Sequence, residues 1–242
     1  MNDTNNTMLV EVWSDVMCPF CYIGKRKFEV ALAASGHSGN VRLVWKSFQL
    51  DPSIQASDNK DYMGFLQRKK GFSEAQTKGM LEQVSGMARG EGLDFRFEKA
   101  VVANSFDAHR LSQLAKQEGV QDAVEEALFR AHFTEGKDIS DRETLNAIGT
   151  ACGLDAAAIE TMLQSNAFTE SVAQDIDEAS QIGVGGVPFF VFNRKYAISG
   201  AQDTKVFSNT IDKAYTEWQK ENTATGLQVI DGSVCKPGGE CE

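Results

Sequence analysis

Met8-Leu9-Val10-Glu11-Val12-Trp13-Ser14-Asp15-Val16-Met17-Cys18-Pro19-Phe20-Cys21-Tyr22-Ile23-Gly24-Lys25 reads as an apolar strand that runs through C-x-x-C straight into a helix. The cysteine that opens such a helix meets free backbone N–H groups and the positive end of the helix dipole, which favour thiolate over thiol. Lys25, Arg26 and Lys27 add positive charge to the same helix. Two intervening residues let the second sulfur reach the first, so Cys18 reads as an exposed nucleophile and Cys21 as its resolving partner. A structural disulfide and half of a zinc site are the competing readings. A zinc site of the finger or ribbon type needs a second C-x-x-C or an H-x-x-x-H nearby, and the sequence has neither. No metal site is expected.

The chain has 242 residues, 42% of them hydrophobic, enough for a sizeable core in one domain or two closely joined ones. Its net charge of −10 argues against partners that present phosphate, so neither nucleic acid nor an anionic membrane is expected. Met1 to Thr7 has no basic or apolar signal-like region, and no run approaches about 18 apolar residues. A cytoplasmic location is therefore expected, where a cysteine pair is more often catalytic than structural. Five cysteines is an odd number, so at least one is free or pairs with another chain.

Val10 and Val12 alternate with Glu11 in the first strand, and Ser35-Gly36 closes the helix behind Cys21. Val41 to Phe48 reads as a second strand, stopped by Asp51-Pro52. Strand, helix and strand with short links imply a right-handed parallel crossover. From about Ser57 to Gly183 the apolar period becomes 3.6, and about six helices are expected. Ser73 to Gln76 and Ser140 to Glu143 have capping-box spacing, and Asn104-Ser105 can cap the helix of Ala108, Leu111 and Ala115. Val187 to Phe192 is a second sheet segment, Tyr196 to Gly200 its antiparallel partner, and Phe207, Ile211, Ala214 and Trp218 stripe a last helix. The expected fold class is α/β, thioredoxin-like with a large inserted all-helical domain. The segments are 8–56 and 184–222 for the thioredoxin-like part, 57–183 for the insertion and 223–242 for a flexible tail.

Pro188 opens a strand that should be central, where a proline removes a ladder hydrogen bond. A cis Val187–Pro188 bond explains it by turning the preceding backbone outward to pair with an extended peptide; a trans proline opening the strand is the plain alternative. The segment Ile182-Gly183-Val184-Gly185-Gly186 precedes a strand rather than a helix, so it is not a phosphate loop.

Three motifs in order, Ser14 to Lys25, Asn104-Ser105-Phe106-Asp107-Ala108-His109-Arg110-Leu111, and Gly186 to Val191 followed by Tyr196 to Gln202, resemble the FrnE-like branch of the DsbA family of thiol–disulfide oxidoreductases. The resemblance runs from Leu9 to about Trp218. It implies a thioredoxin fold with a helical insertion, a cis proline facing the cysteine pair, and Asn104 approaching the site from the insertion. The branch includes 2-hydroxychromene-2-carboxylate isomerases and kappa-class glutathione transferases, which usually carry serine where Cys18 stands, so disulfide exchange is favoured here. The buried acid that thioredoxin and DsbA carry six residues before the first cysteine is replaced by Val12, which leaves Asp15 as a candidate proton acceptor for Cys21.

The expected activity is therefore disulfide exchange or isomerisation on protein, peptide or small thiols, with Cys18 and Cys21 catalytic and Val187, Pro188, Asn104, Pro19 and Phe20 binding substrate. No resident cofactor is expected beyond the redox-active disulfide, and glutathione is a candidate co-substrate. The alternative is a glutathione-dependent isomerase or transferase acting on a small aromatic; a chaperone or metal-binding module is a third. Cys235 and Cys241, separated by a segment containing Gly238-Gly239, resemble a second pair found in some FrnE-like proteins and read as a disulfide or a shuttle to the first pair. Cys152 is expected to be a buried core thiol, and His109 and His132 to be structural. A homodimer is left open.

Overall fold

The computed structural model describes residues 7–55 and 61–223; Cys235 and Cys241 lie outside them. Four strands form one mixed sheet in the order β2-β1-β3-β4, with β1 at Met8–Ser14, β2 at Val41–Ser47, β3 at Phe189–Phe192 and β4 at Tyr196–Ser199. β1 and β2 are parallel, joined by helix α1 (Pro19–Ser35); β3 runs antiparallel to both β1 and β4. The strand alternation decides which side each residue serves. Val10, Val12, Phe190 and Phe192 face α1 and α9 (Thr204–Thr223), where the Phe28 ring stacks on Phe190 and Phe207 meets both edge-on. Trp13 and Val191 face the other side and pack with Ala179 and Val184.

Between β2 and β3 lie α2 (Tyr62–Lys70), α3 (Glu74–Gly90), α4 (Phe106–Gln117), α5 (Gln121–Arg130), α6 (Arg142–Ala151), α7 (Ala156–Gln164) and α8 (Thr169–Gln181). That is seven helices among the described residues rather than about six. The additional one is α2, nine residues long with Gly64 in its first turn and a polar end, Gln67 to Lys70, so its apolar stripe is too short to read. Ser73 and Gln76 close the expected capping box. Ser140 does not cap: Asp141 accepts the Thr144 N–H at 2.8 Å, while Ser140 turns back to Asp138. The helix simply begins one residue later.

Two polar networks hold the helical insertion in place, a buried one against the sheet and a half-buried one against α1. Asp175 of α8 accepts the Ser47 N–H at 3.0 Å, Gln113 Nε2 and Lys46 Nζ at 2.6 Å each, while its carbonyl accepts Trp13 Nε1 at 2.8 Å. In the second turn of α1, Lys25 is buried against Glu29, Asp122 and Glu126. The Tyr22 hydroxyl donates to Glu126 at 2.6 Å, and its ring stacks on Phe129 with centroids 5.0 Å apart. The insertion is thus fastened to the helix that begins with the cysteine motif. Cys152, expected in the core, closes α6 half-exposed with its Sγ 3.5 Å from the Ala123 carbonyl. As the C-cap it sits where the apolar stripe of α6 runs out.

Candidate active site

Cys18 is the N-cap of α1 and Pro19 occupies the first helical position, where the missing proline N–H is no loss. The Cys18 N–H donates to the Asp15 carbonyl at 2.9 Å, and the Cys21 N–H to the Cys18 carbonyl at 3.0 Å, which folds residues 15–21 into one tight turn. Both thiols are free. The Val187–Pro188 bond is cis, and the Cys18 Sγ donates to the Val187 carbonyl at 3.5 Å. Cys18, Cys21, Val187 and Pro188 therefore meet at one place. Pro19 is half-buried at its edge and Phe20 is 38% exposed.

Cys18 is not the exposed nucleophile the motif suggests. It is 4% exposed, because the Val187 carbonyl and the proline segment lie against its sulfur. Gly24 makes that approach feasible, since a Cβ there would stand 3.0 Å from Pro188 Cγ and 3.4 Å from the Phe190 ring. Burial and the neighbouring Cys18 push the Cys21 thiol up; the Ser14 hydroxyl and the Asp15 backbone amide work against that rise. Lys25 and Arg26 contribute little charge here, since both are paired with the carboxylates of Glu29 and Glu126.

Asp15 does not present its carboxylate to Cys21. Its Oδ1 accepts the Met17 N–H at 3.1 Å and its Oδ2 the Leu50 N–H at 2.7 Å. Burial opposes the ionised form, but His109 and those amides outweigh it and hold the carboxyl below its usual range. His109, from α4, places Nε2 3.7 Å from Asp15 Oδ1, ion-pair rather than hydrogen-bond distance. That separation brings His109 beside the turn that carries the cysteines. The Asn104 to Leu111 motif places His109 one turn into that helix without marking the partner it meets.

Tyr62, at the start of α2, is also near: burial first, then Cys18 and Asp15, push its hydroxyl up. His132 sits in a π-helical segment, Ala131–Glu135, fully buried with neither ring nitrogen hydrogen-bonded. Burial lowers its pKa to about 4, against the pull of Asp15 and Asp138. Nothing in the spacing of residues signals either neighbour, because both arrive through the fold of the insertion.

Asn104 is committed elsewhere. Its Oδ1 accepts Gln49 Nε2 at 3.1 Å and the Phe106 N–H at 2.9 Å, and its Nδ2 donates to the carbonyls of Ile54 at 2.8 Å and Pro52 at 3.3 Å. It secures the segment after β2, whose Leu50 amide holds Asp15, and lines a 380 Å³ hollow with Gln49, Pro52, Ile54 and Ser140. No helix of the described residues is long and apolar enough to cross a membrane.

A family model described as a DSBA-like thioredoxin domain matches residues 9–212. The uncharacterized protein YwbO of Bacillus subtilis (strain 168) is 26% identical over 223 residues, 89% of this chain and 99% of that one. The crystal structure of a probable DsbA oxidoreductase from Streptomyces coelicolor is 38% identical with a TM-score of 0.83, covering 97% of this chain and 98% of its own. The cytosolic disulfide reductase DsbM from Pseudomonas aeruginosa, solved with GSH, has the same fold at 16% identity and a TM-score of 0.58, covering 88% of this chain and 98% of its own.

Proposed function

The chain belongs to the family of DSBA-like thioredoxin domains, and on that premise we propose that it is a thiol–disulfide oxidoreductase with Cys18 as nucleophile and Cys21 as resolving cysteine. The observation that carries this reading is the free thiol of Cys18 at the N-terminus of α1, with Cys21 one turn behind it and the Val187 carbonyl in front. The Cys18 thiolate attacks one sulfur of a substrate disulfide and expels the other as a thiolate, leaving a mixed disulfide. Cys21, once deprotonated, attacks the Cys18 sulfur and releases the second substrate thiolate. The substrate gains two electrons and the pair becomes a disulfide; run backwards, the same steps oxidise a dithiol.

The backbone at Val187, with Pro188 behind it and Phe20 exposed alongside, supplies the edge on which an extended peptide or a glutathione tripeptide can lie. Glutathione is the small co-substrate in this reading, as the GSH-bound DsbM supports. A reducing, cytoplasmic setting accompanies it, the compartment of DsbM. The test is a Cys21→Ser variant incubated with glutathione disulfide and with a disulfide-bonded peptide. A mixed disulfide confined to Cys18 by mass spectrometry, absent from Cys18→Ser, is expected. Full exchange by Cys18→Ser would overturn the assignment.

A further inference from the structure

Asp15 is the hub of the cysteine turn. Its carbonyl holds the Cys18 amide, its carboxylate holds the amides of Met17 and Leu50, and its own amide reaches Cys21. A carboxylate only 1% exposed needs a counter-charge, and the described residues offer it His109, itself 2% exposed. We propose that His109 is a positioning residue for disulfide exchange, acting through Asp15, and that its positive charge keeps the cysteine turn in its reactive arrangement. This rests on the disulfide-exchange reading above and adds to it a residue from the helical insertion.

The groups facing His109 come from separate elements. Asp15 stands on the β1–α1 turn, the Phe48 carbonyl lies just after β2, and Glu125, 3% exposed, projects from α5. Tyr62 of α2 and His132 of the π-helical segment are close enough to feel the charge of Asp15. Glu125 is spoken for by Ser112 Oγ at 2.6 Å, and burial raises its pKa, so it competes weakly for the imidazolium. Burial works against a charged His109, but Asp15 and the Phe48 carbonyl prevail and its pKa is raised. Asp15 and His109 thus sustain each other's charge, and the pair holds below the raised imidazole pKa and weakens as pH climbs through it.

The experiment compares exchange rates of wild type, His109→Gln, Asp15→Asn and the double variant on glutathione disulfide across pH. At about pH 6 the wild type should exceed His109→Gln by about tenfold, the scale of one charge-assisted contact, and the ratio should close toward one in alkali. The double variant should be no slower than Asp15→Asn alone. A pH-independent ratio, or effects that multiply, overturns the proposal by reducing His109 to packing. Thiolate absorbance of the reduced proteins is read in parallel and needs no turnover: His109→Gln should move the Cys21 titration upward. If wild type exchanges no disulfides yet that titration moves, the activity assignment falls and the positioning role stands. Should His109→Gln fail to fold, imidazole titration by NMR decides instead, since Asp15→Asn must lower the His109 pKa and an unmoved value contradicts the proposal.

Discussion

Gly24 on α1 and Pro188 ahead of β3 are neighbours with no room between them, a Cβ on Gly24 falling 3.0 Å from the proline ring. The contact lies one turn behind the cysteines, so pressure there is felt first by the segment that covers Cys18. Gly24→Ala gains about 1 kcal/mol of helix propensity and loses a similar amount to overpacking, leaving stability near neutral. Gly24→Val should cost about 2 kcal/mol and slow exchange more than tenfold. Denaturant unfolding beside exchange rates checks the split; equal losses in both would contradict it.

His132 should make the protein acid-sensitive. Its folded pKa, about 4, lies below the ordinary histidine value, so the unfolded chain takes up the proton first. Stability is therefore fully present above about pH 6.5 and falls as pH drops toward about 4, by at most about 3 kcal/mol. His132→Phe, which keeps the ring contacts with Tyr62 and Phe133, should flatten that fall. Unfolding free energies of the two proteins that run parallel from neutral pH to about pH 4.5 would refute this.

Lys25 serves the interface between α1 and α5. Its side chain is 2% exposed against three carboxylates that are themselves partly solvated. Lys25→Met keeps the stem and removes the charge, and should destabilise by about 2 kcal/mol after allowance for that solvation. Exchange per folded molecule should change less than threefold, roughly the scale of a screened charge. A larger fall in rate than in stability would mean that the lysine acts on the sulfur.

Ser14 should govern resolution. Its hydroxyl is buried beside Cys21 and opposes the rise that burial gives that thiol. Ser14→Ala should leave attack by Cys18 intact and slow the second step by roughly threefold, since the hydroxyl only partly offsets the effect of burial on that thiol. Rapid-quench trapping would show the mixed disulfide lasting longer; an unchanged lifetime would contradict the role.

The strands, the cysteine turn and the last helix were legible because each follows from local pattern. Val10 and Val12 alternate, C-x-x-C abuts an apolar run, and Phe207, Ile211, Ala214 and Trp218 keep helical spacing. What stayed hidden depends on contacts between distant segments. His109 is 94 residues from Asp15, and nothing in its own helix reveals a buried carboxylate opposite. The motif suggested an open nucleophile, but the degree to which Val187 covers Cys18 is a property of tertiary packing. Asn104 was legible as part of the start of α4, where its Oδ1 accepts the Phe106 N–H while Ser105 is the N-cap, but not that its amide is spent on residues 49–54.

The most direct measurement is the thiol–disulfide equilibrium of Cys18 and Cys21 across a glutathione redox series, first with Cys235 and Cys241 replaced by serine and then in the intact chain. A single two-electron transition with a defined potential is expected, which shifts when the second pair is restored if the two exchange. A pair that stays reduced throughout the series would contradict disulfide exchange and favour a glutathione-dependent isomerase or transferase.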